Sequence, residues 1–377
     1  MDEPGDVAAA RRRLGLIYFL SMASLGGLHP FLAPALTDAG ASEAAVPLII
    51  AAFPVARLTA GPALGWVADR FARPGLVLQG SAFGAAACAL ALGVAPTWVL
   101  MGVAVYAFAM CRVPLFPLLD VRIMRTPGGY GTVRVWGSVG FILAVIAVGF
   151  FADANPRLPA LVASGALAAT GLVTLGLPRG GPSTRDPLLP AIRRLLAIPE
   201  LRPLWVVSAL HAATLATYDH LYSLHVAAEG FSARVTAAGV AAGIVVEITV
   251  LAAGPRLLER FGGGPLIVAS VAASIPRWIV TGTTGDPWVL AGIQTLHGVG
   301  FGCWWIGGIG LLARLAPEDL RNSAQALFVF AAYGVGALMA MGGSAVVLGA
   351  VGTAGLFLGL TAVSAAGLIA AAPLWRR

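Results

Sequence analysis

Gly65-Trp66-Val67-Ala68-Asp69-Arg70-Phe71 closes the second apolar run of this chain. A variant of it returns as Gly254-Pro255-Arg256-Leu257-Leu258-Glu259-Arg260-Phe261-Gly262. Acid, arginine and phenylalanine recur in the same order at an offset of 190, half the chain. Two related halves are expected, and an internal repeat in an apolar chain predicts a substrate site between the repeats near the membrane midplane.

Outward from these two turns the sequence is overwhelmingly apolar. Of 377 residues, 58% are hydrophobic and 11% charged, and the mean hydropathy is +0.87. Soluble domains carry about 25% charged residues, so lipid must be the solvent for most of this chain. A spanning helix needs about 20 apolar residues. With short connections, the spacing predicts spans at 14–37, 44–66, 74–95, 97–120, 131–152 and 158–178, then 203–227, 235–254, 264–283, 287–313, 322–348 and 352–373. The 48 glycines and 25 prolines suit membrane helices, and the alternation of a membrane barrel is absent. The expected fold is all-α, twelve transmembrane helices in two six-helix pseudo-repeats.

The one long polar segment, 179–202, holds five arginines and four prolines. It is expected to be a cytoplasmic linker between an N-terminal bundle, 1–178, and a C-terminal bundle, 203–377. The net charge is +7, and all 24 basic residues are arginine. If the N-terminus is cytoplasmic, eighteen arginines, from Arg11 to Arg377, fall in cytoplasmic segments, against Arg157 and Arg234 opposite. That asymmetry predicts both termini in the cytoplasm of a multi-pass protein of the cell (inner or plasma) membrane. The apolar run after Arg13 is too long for a signal-peptide core. Cys88, Cys111 and Cys303 are odd in number and lie in apolar stretches, so no disulfide framework is expected.

Gly-x-x-x-Asp-Arg in the second loop resembles the loop motif of the major facilitator superfamily, as do the two six-helix halves. Tyr130-Gly131-Thr132-Val133-Arg134-Val135-Trp136-Gly137-Ser138-Val139-Gly140-Phe141 is more specific. It resembles the start of the fifth helix in the proton-symporter branch that holds lactose permease and the phenylpropionate and nucleoside transporters. Further matches, in order, are Pro30-Phe31, Pro114 to Asp120, Thr217-Tyr218-Asp219, Glu247, Arg277, Gln294-Thr295-Leu296-His297 and Ser323-Ala324-Gln325. The resemblance covers essentially the whole chain.

Ionisable groups inside a membrane are costly and therefore functional candidates. The expected spans contain Arg57, Arg112, Asp120, Arg134, Asp219, Glu247 and Arg277, with His29, His211, His220, His225 and His297. The alternative for each is an ion pair that fixes packing alone. Asp120 and Arg134 approach from neighbouring helices, where a guanidinium fork oriented by a carboxylate can grip two oxygens. The resemblance implies that this pair binds substrate, as in lactose permease, with Phe141 where the permease stacks a tryptophan. The loop between Asp120 and Arg134 is four residues shorter here, which loosens the Asp120 match. Arg57 and Arg112 add positive charge to the same half and favour an anionic substrate. His29 either lines the cavity or bonds backbone freed by Pro30. Trp304, seven residues after His297, offers a ring for stacking.

Glu247, Arg277 and His297 fall at similar depth and are expected to meet. An acid that alternates between an arginine and a dry apolar neighbourhood can load and release a proton. The resemblance implies proton coupling by Arg277 and His297, but the permease's carboxylate one turn beyond the histidine is Gly300 here. Glu247 lies one turn from the position of the permease's span-8 acid, and the coupling role is transferred to it. Asp219 matches an acid that pairs with a lysine on span 11. This chain has no lysine and reads Tyr333-Gly334-Val335-Gly336 there, so Arg277 or a histidine is the expected partner. His211, Tyr218 and His225 share a stripe on span 7, without the spacing of a metal pair. Asp69-Arg70 and Glu259-Arg260 are expected to latch helix ends as a gate.

The expected function is secondary active transport of a small organic solute, an aromatic or other organic acid, nucleoside or sugar, by proton symport. A proton-coupled drug or metabolite exporter is the alternative, and a membrane receptor without transport the reading from another class. No nucleophile–base or metalloprotease pattern marks an enzyme. Partners are substrate, protons and membrane lipid; no cofactor, metal or nucleic acid is implied, and a monomer is expected.

Overall fold

In a computed structural model, residues 4–70, 73–124, 126, 130–175, 177 and 188–376 are described, and all their regular structure is helical. The chain divides into two compact units, 1–184 and 185–377. The boundary falls inside the expected linker. Its second part is the amphipathic helix Leu188–Ala197, which anchors Leu195 in the core of the second unit beside Leu201, Leu311 and Leu320. Arg194 of that helix also pairs with Asp319 at 2.9 Å.

The first unit contains α1 (Pro4–Leu28), α2 (Ala45–Leu64), α3 (Pro74–Val94), α4 (Trp98–Met124), α5 (Tyr130–Gly149) and α6 (Leu158–Thr174). The second contains α7 (Arg202–Ala228), α8 (Ala233–Ala252), α9 (Gly263–Thr283), α10 (Pro287–Leu315), and a run from Ser323 to Leu374 that breaks at Gly352. There φ is +67°, a conformation that favours glycine. The two sides of that break are called α11 (323–351) and α12 (353–371).

Nine helices among the described residues are long and apolar enough to cross a membrane, fewer than the twelve expected. The differences have local causes. Helix α6 has only 17 residues, α7 carries three histidines and an aspartate, and α11 runs into α12 without a loop.

Proline shapes the spans. The backbone N–H that proline lacks breaks the helical ladder, so α1 gives way to a tight turn at His29–Phe31 and α4 is interrupted after Arg112, ahead of Pro114. Helix α9 absorbs Pro276 internally, one residue before Arg277. Helix α10 is interrupted before Gln294, and α11 loosens into a π-helical turn over Phe330–Gly336. Each interruption lies beside a polar or close-packed residue of the site. Asp286 caps α10 by accepting from the amides of Trp288 and Val289 at 2.8 and 2.9 Å.

Within lipid, helices associate through close packing rather than hydrophobic exclusion from water, and glycine supplies the contacts. A Cβ on Gly26 would strike the Phe141 carbonyl, and one on Gly140 the Phe19 carbonyl, so α1 and α5 touch backbone to backbone. Gly336 on α11 approaches the Ala209 carbonyl of α7 in the same way. The neighbours of each unit follow one order. In the first, α1 packs on α5 and α6, α3 on α4 and α6, and α2 on α4. In the second, α7 packs on α11 and α12, α9 on α10 and α12, and α8 on α10.

Candidate functional site

The polar residues gather into one cluster in each unit. In the first, Arg112 is 8% exposed. It donates Nη2–H to the Ser21 carbonyl at 3.1 Å, and its guanidinium lies 4.9 Å from the Phe116 ring. Tyr18, whose ring also packs edge-on against Phe116, donates its hydroxyl to Asp120 at 3.3 Å. The charge of Arg134 reaches Asp120, and that of Arg57 reaches Arg112. Asp120 and Arg134 are near enough for their charges to act on each other, and Tyr18 is an addition that the sequence did not mark. Arg134 and Arg57 are exposed and Phe141 is half-buried. The His29 ring sits 4.3 Å from that of Phe53.

The second cluster is drier. Arg277 is fully buried on α9. Its guanidinium lies between two rings, 3.9 Å from Tyr218 and 4.3 Å from Trp278. Its Nε–H donates to Gln294 Oε1 at 2.9 Å. Gln294 is held in turn, its Nε2 donating at 3.0 Å to both the Thr281 hydroxyl and the Leu290 carbonyl. Gln294 sits at the interruption of α10, where the amide can leave the helix line; as an uncharged residue it carried no sign of a site in the sequence. Nη1 and Nη2 make no hydrogen bond. An unmet donor on a buried group costs about 1–3 kcal/mol, and more when charged. Two flanking rings recover part of that through their negative faces.

The expected meeting of Glu247, Arg277 and His297 is found in part. Glu247 Oε2 lies 3.8 Å from His297 Nε2, with side chains 22% and 10% exposed. The His297 ring is 5.0 Å from that of Tyr218, which joins the pair to Arg277. Arg277 itself gives its one hydrogen bond to Gln294, not to an acid. Asp219 is on the exposed side of α7, and its charge reaches Arg277. His211 donates Nε2–H to the Gly300 carbonyl at 3.2 Å. His225 is bound by Thr353 at 3.0 Å and by the Thr281 carbonyl at 2.7 Å. The stripe His211–Tyr218–His225 is thus an interhelical seam. No group of residues that could hold a metal ion occurs among the described residues.

Two expectations change. Trp304 is fully buried, its ring 4.7 Å from Phe328 and its indole N–H donating to Ser208 at 3.2 Å. It is a core side chain, because the face shared with His297 also faces α7 and α11. Arg260 lies 5.2 Å over the ring of its neighbour Phe261, and Glu259 and Arg260 are exposed without an ion pair among the described residues. Arg70 is exposed too, and the side chain of Asp69 lies outside the described residues.

Comparison with known proteins gives these observations a context. The model of the MFS_1 like family matches residues 12–358. Maltose permease of Geobacillus stearothermophilus is 30% identical over 344 residues, 88% of this chain and 86% of the permease. A probable 3-phenylpropionic acid transporter of Escherichia coli (strain K12) is 26% identical over 357 residues, 91% and 90% of the two chains. The crystal structure of the nucleoside transporter NupG superposes with a TM-score of 0.84 at 17% identity, covering 98% of this chain and 99% of that one.

Proposed function

The chain belongs to the MFS_1 like family, a transporter branch of the major facilitator superfamily, and from that premise we propose proton-coupled secondary transport of a small organic solute by alternating access. It is a multi-pass membrane transporter and not an enzyme. We read α1 to α12 as twelve spans in two six-helix repeats: the 17-residue α6, the polar α7 and the break at Gly352 account for the three that length and hydropathy alone leave out. The shared packing order of the two units and the recurrence of the loop motif support the repeat. The arginine asymmetry supports cytoplasmic termini in a cell membrane.

The observation that carries the coupling is the contact of Glu247 with His297, beside a buried arginine. A carboxylate and an imidazole at 3.8 Å can share or surrender a proton as their surroundings change. Asp120 and Arg134, with Tyr18 as a third polar group, are the substrate ligands of the first unit; Phe141, Arg57 and His29 are further candidates there, and Arg112 holds α4 to α1 beside them. Relatives are named for a sugar, an aromatic acid and a nucleoside, and all three classes belong in the first screen.

The test is uptake by purified protein in liposomes under an imposed proton gradient. Accumulation driven by an inward gradient is expected, and uptake indifferent to the gradient would remove the proton from the mechanism. Accumulation driven by the reverse gradient would favour the exporter.

A further inference from the structure

Arg277 is bound at the wrong end for a purely structural arginine. A structural arginine spends its fork on fixed acceptors, because the paired Nη nitrogens give the strong, directional bonds. Here Gln294 takes only Nε, and three further contacts hold Gln294 and the guanidinium in place. Nη1 and Nη2 are left without a hydrogen bond in a fully buried side chain. The Tyr218 hydroxyl, on the ring under the guanidinium, makes none either, and that residue is 3% exposed. Three polar groups from two helices thus lie together without a well-formed hydrogen bond, the Tyr218 hydroxyl near enough to the guanidinium to interact with it, and the histidines nearby have their Nε2 atoms engaged elsewhere. Asp219 is close enough for its charge to be felt, yet it leaves both fork nitrogens unbonded.

The geometry points to a carboxylate-binding site at Arg277, in which the fork takes both oxygens of an organic anion and Tyr218 adds a third donor. The fork selects a planar two-oxygen anion over a spherical one. The flanking rings of Tyr218 and Trp278 and the Phe301 ring stacked on His297 suit an organic acid better than a hydrated ion. On the α10 side, Gly300 brings no side chain, and an added Cβ would be in ordinary contact with the Ser270 carbonyl oxygen and Ser274 Oγ at 3.6 Å and His211 Cε1 at 3.8 Å. In transport terms the carboxylate is part of the cargo, a step that rests on the function proposed above; the binding itself does not.

Purified protein in detergent, at constant sodium and ionic strength, is titrated with benzoate, formate, chloride and the neutral isostere benzamide while its thermal unfolding is followed. Benzoate and formate should raise the midpoint by several degrees, with chloride weaker and benzamide without effect. Arg277→Gln should abolish the shift, and Arg277→Lys, which keeps charge but loses the fork, should weaken benzoate at least tenfold. Tyr218→Phe keeps the ring and should weaken it about three- to tenfold, so the question stays answerable if Arg277→Gln fails to fold. Stabilisation by benzamide equal to that by benzoate, no response to any carboxylate, or unchanged benzoate affinity in the lysine and phenylalanine variants would overturn the site. Because no gradient is involved, binding without gradient-driven accumulation would sink the proton-coupled reading and leave this one standing.

Discussion

Among the described residues each unit buries one arginine, and the two are held in opposite ways. Arg112 is bound through its fork, Nη2 donating to a carbonyl of α1, with Phe116 to one side. Arg277 is bound through Nε, which leaves the fork open between two rings. A guanidinium anchored by its fork cross-links helices; one anchored by its stem is positioned yet uncommitted. The same residue type at comparable burial is therefore a fastener in one unit and a candidate ligand in the other. The surrounding scaffolds are alike, since the close contact of Gly140 with Phe19 in the first unit has its counterpart in Gly336 with Ala209 in the second.

The largest expected effects test that shared scaffold. Gly140→Val and Gly336→Val each drive a side chain into a backbone carbonyl that cannot retreat, and each should cost more than about 4 kcal/mol, read as loss of monodisperse protein after extraction. Gly342→Ala, at a glycine with open space around it, is the control and should be silent. Loss of protein in only one of the two valine variants would break the parallel between the units.

Chemistry comes next. Glu247→Gln should abolish gradient-driven accumulation while leaving exchange of substrate across the membrane intact; unchanged accumulation removes Glu247 from coupling. Arg134→Ala should raise the KM for substrate at least tenfold, consistent with loss of a charged two-oxygen contact. Substrate affinity that survives this change moves recognition out of the first unit.

A subtler contrast separates the two arginines. Arg112→Met should lower the unfolding midpoint by several degrees with little change in KM, because it removes the cross-link to the Ser21 carbonyl, which keeps its bond from Ser24 Oγ. The smallest effect belongs to the surface. Arg194→Ala breaks an exposed ion pair with Asp319 and should cost no more than about 1 kcal/mol, measured by thermal unfolding.

Much of this was legible in the sequence. Hydropathy located helical segments close to α2 through α10, whereas the first expected span, 14–37, overruns the end of α1 at Leu28, and the contact of Glu247 with His297 followed from their similar depth. Other features were not. Gln294 holds Arg277 only because α10 is interrupted beside it, and an uncharged residue gives no alarm in a membrane sequence. Trp304 shares a helix face with His297, but that face turned out to be packed against Phe328 and Ser208. The break at Gly352 falls beside the boundary expected between 322–348 and 352–373, but its form, a positive φ at one glycine in place of a polar loop, was not legible.

The sequence by itself determined the solvent, the helical class, the duplicated loop motif and the inventory of charges that lipid makes expensive. These are sums over neighbouring residues, and hydropathy and composition report them directly. Only the tertiary structure decided which end of each arginine is engaged, which ring is open and which is buried, and where glycine lets two backbones touch. Those outcomes depend on the angles at which separate helices meet, a property that no single stretch of sequence carries.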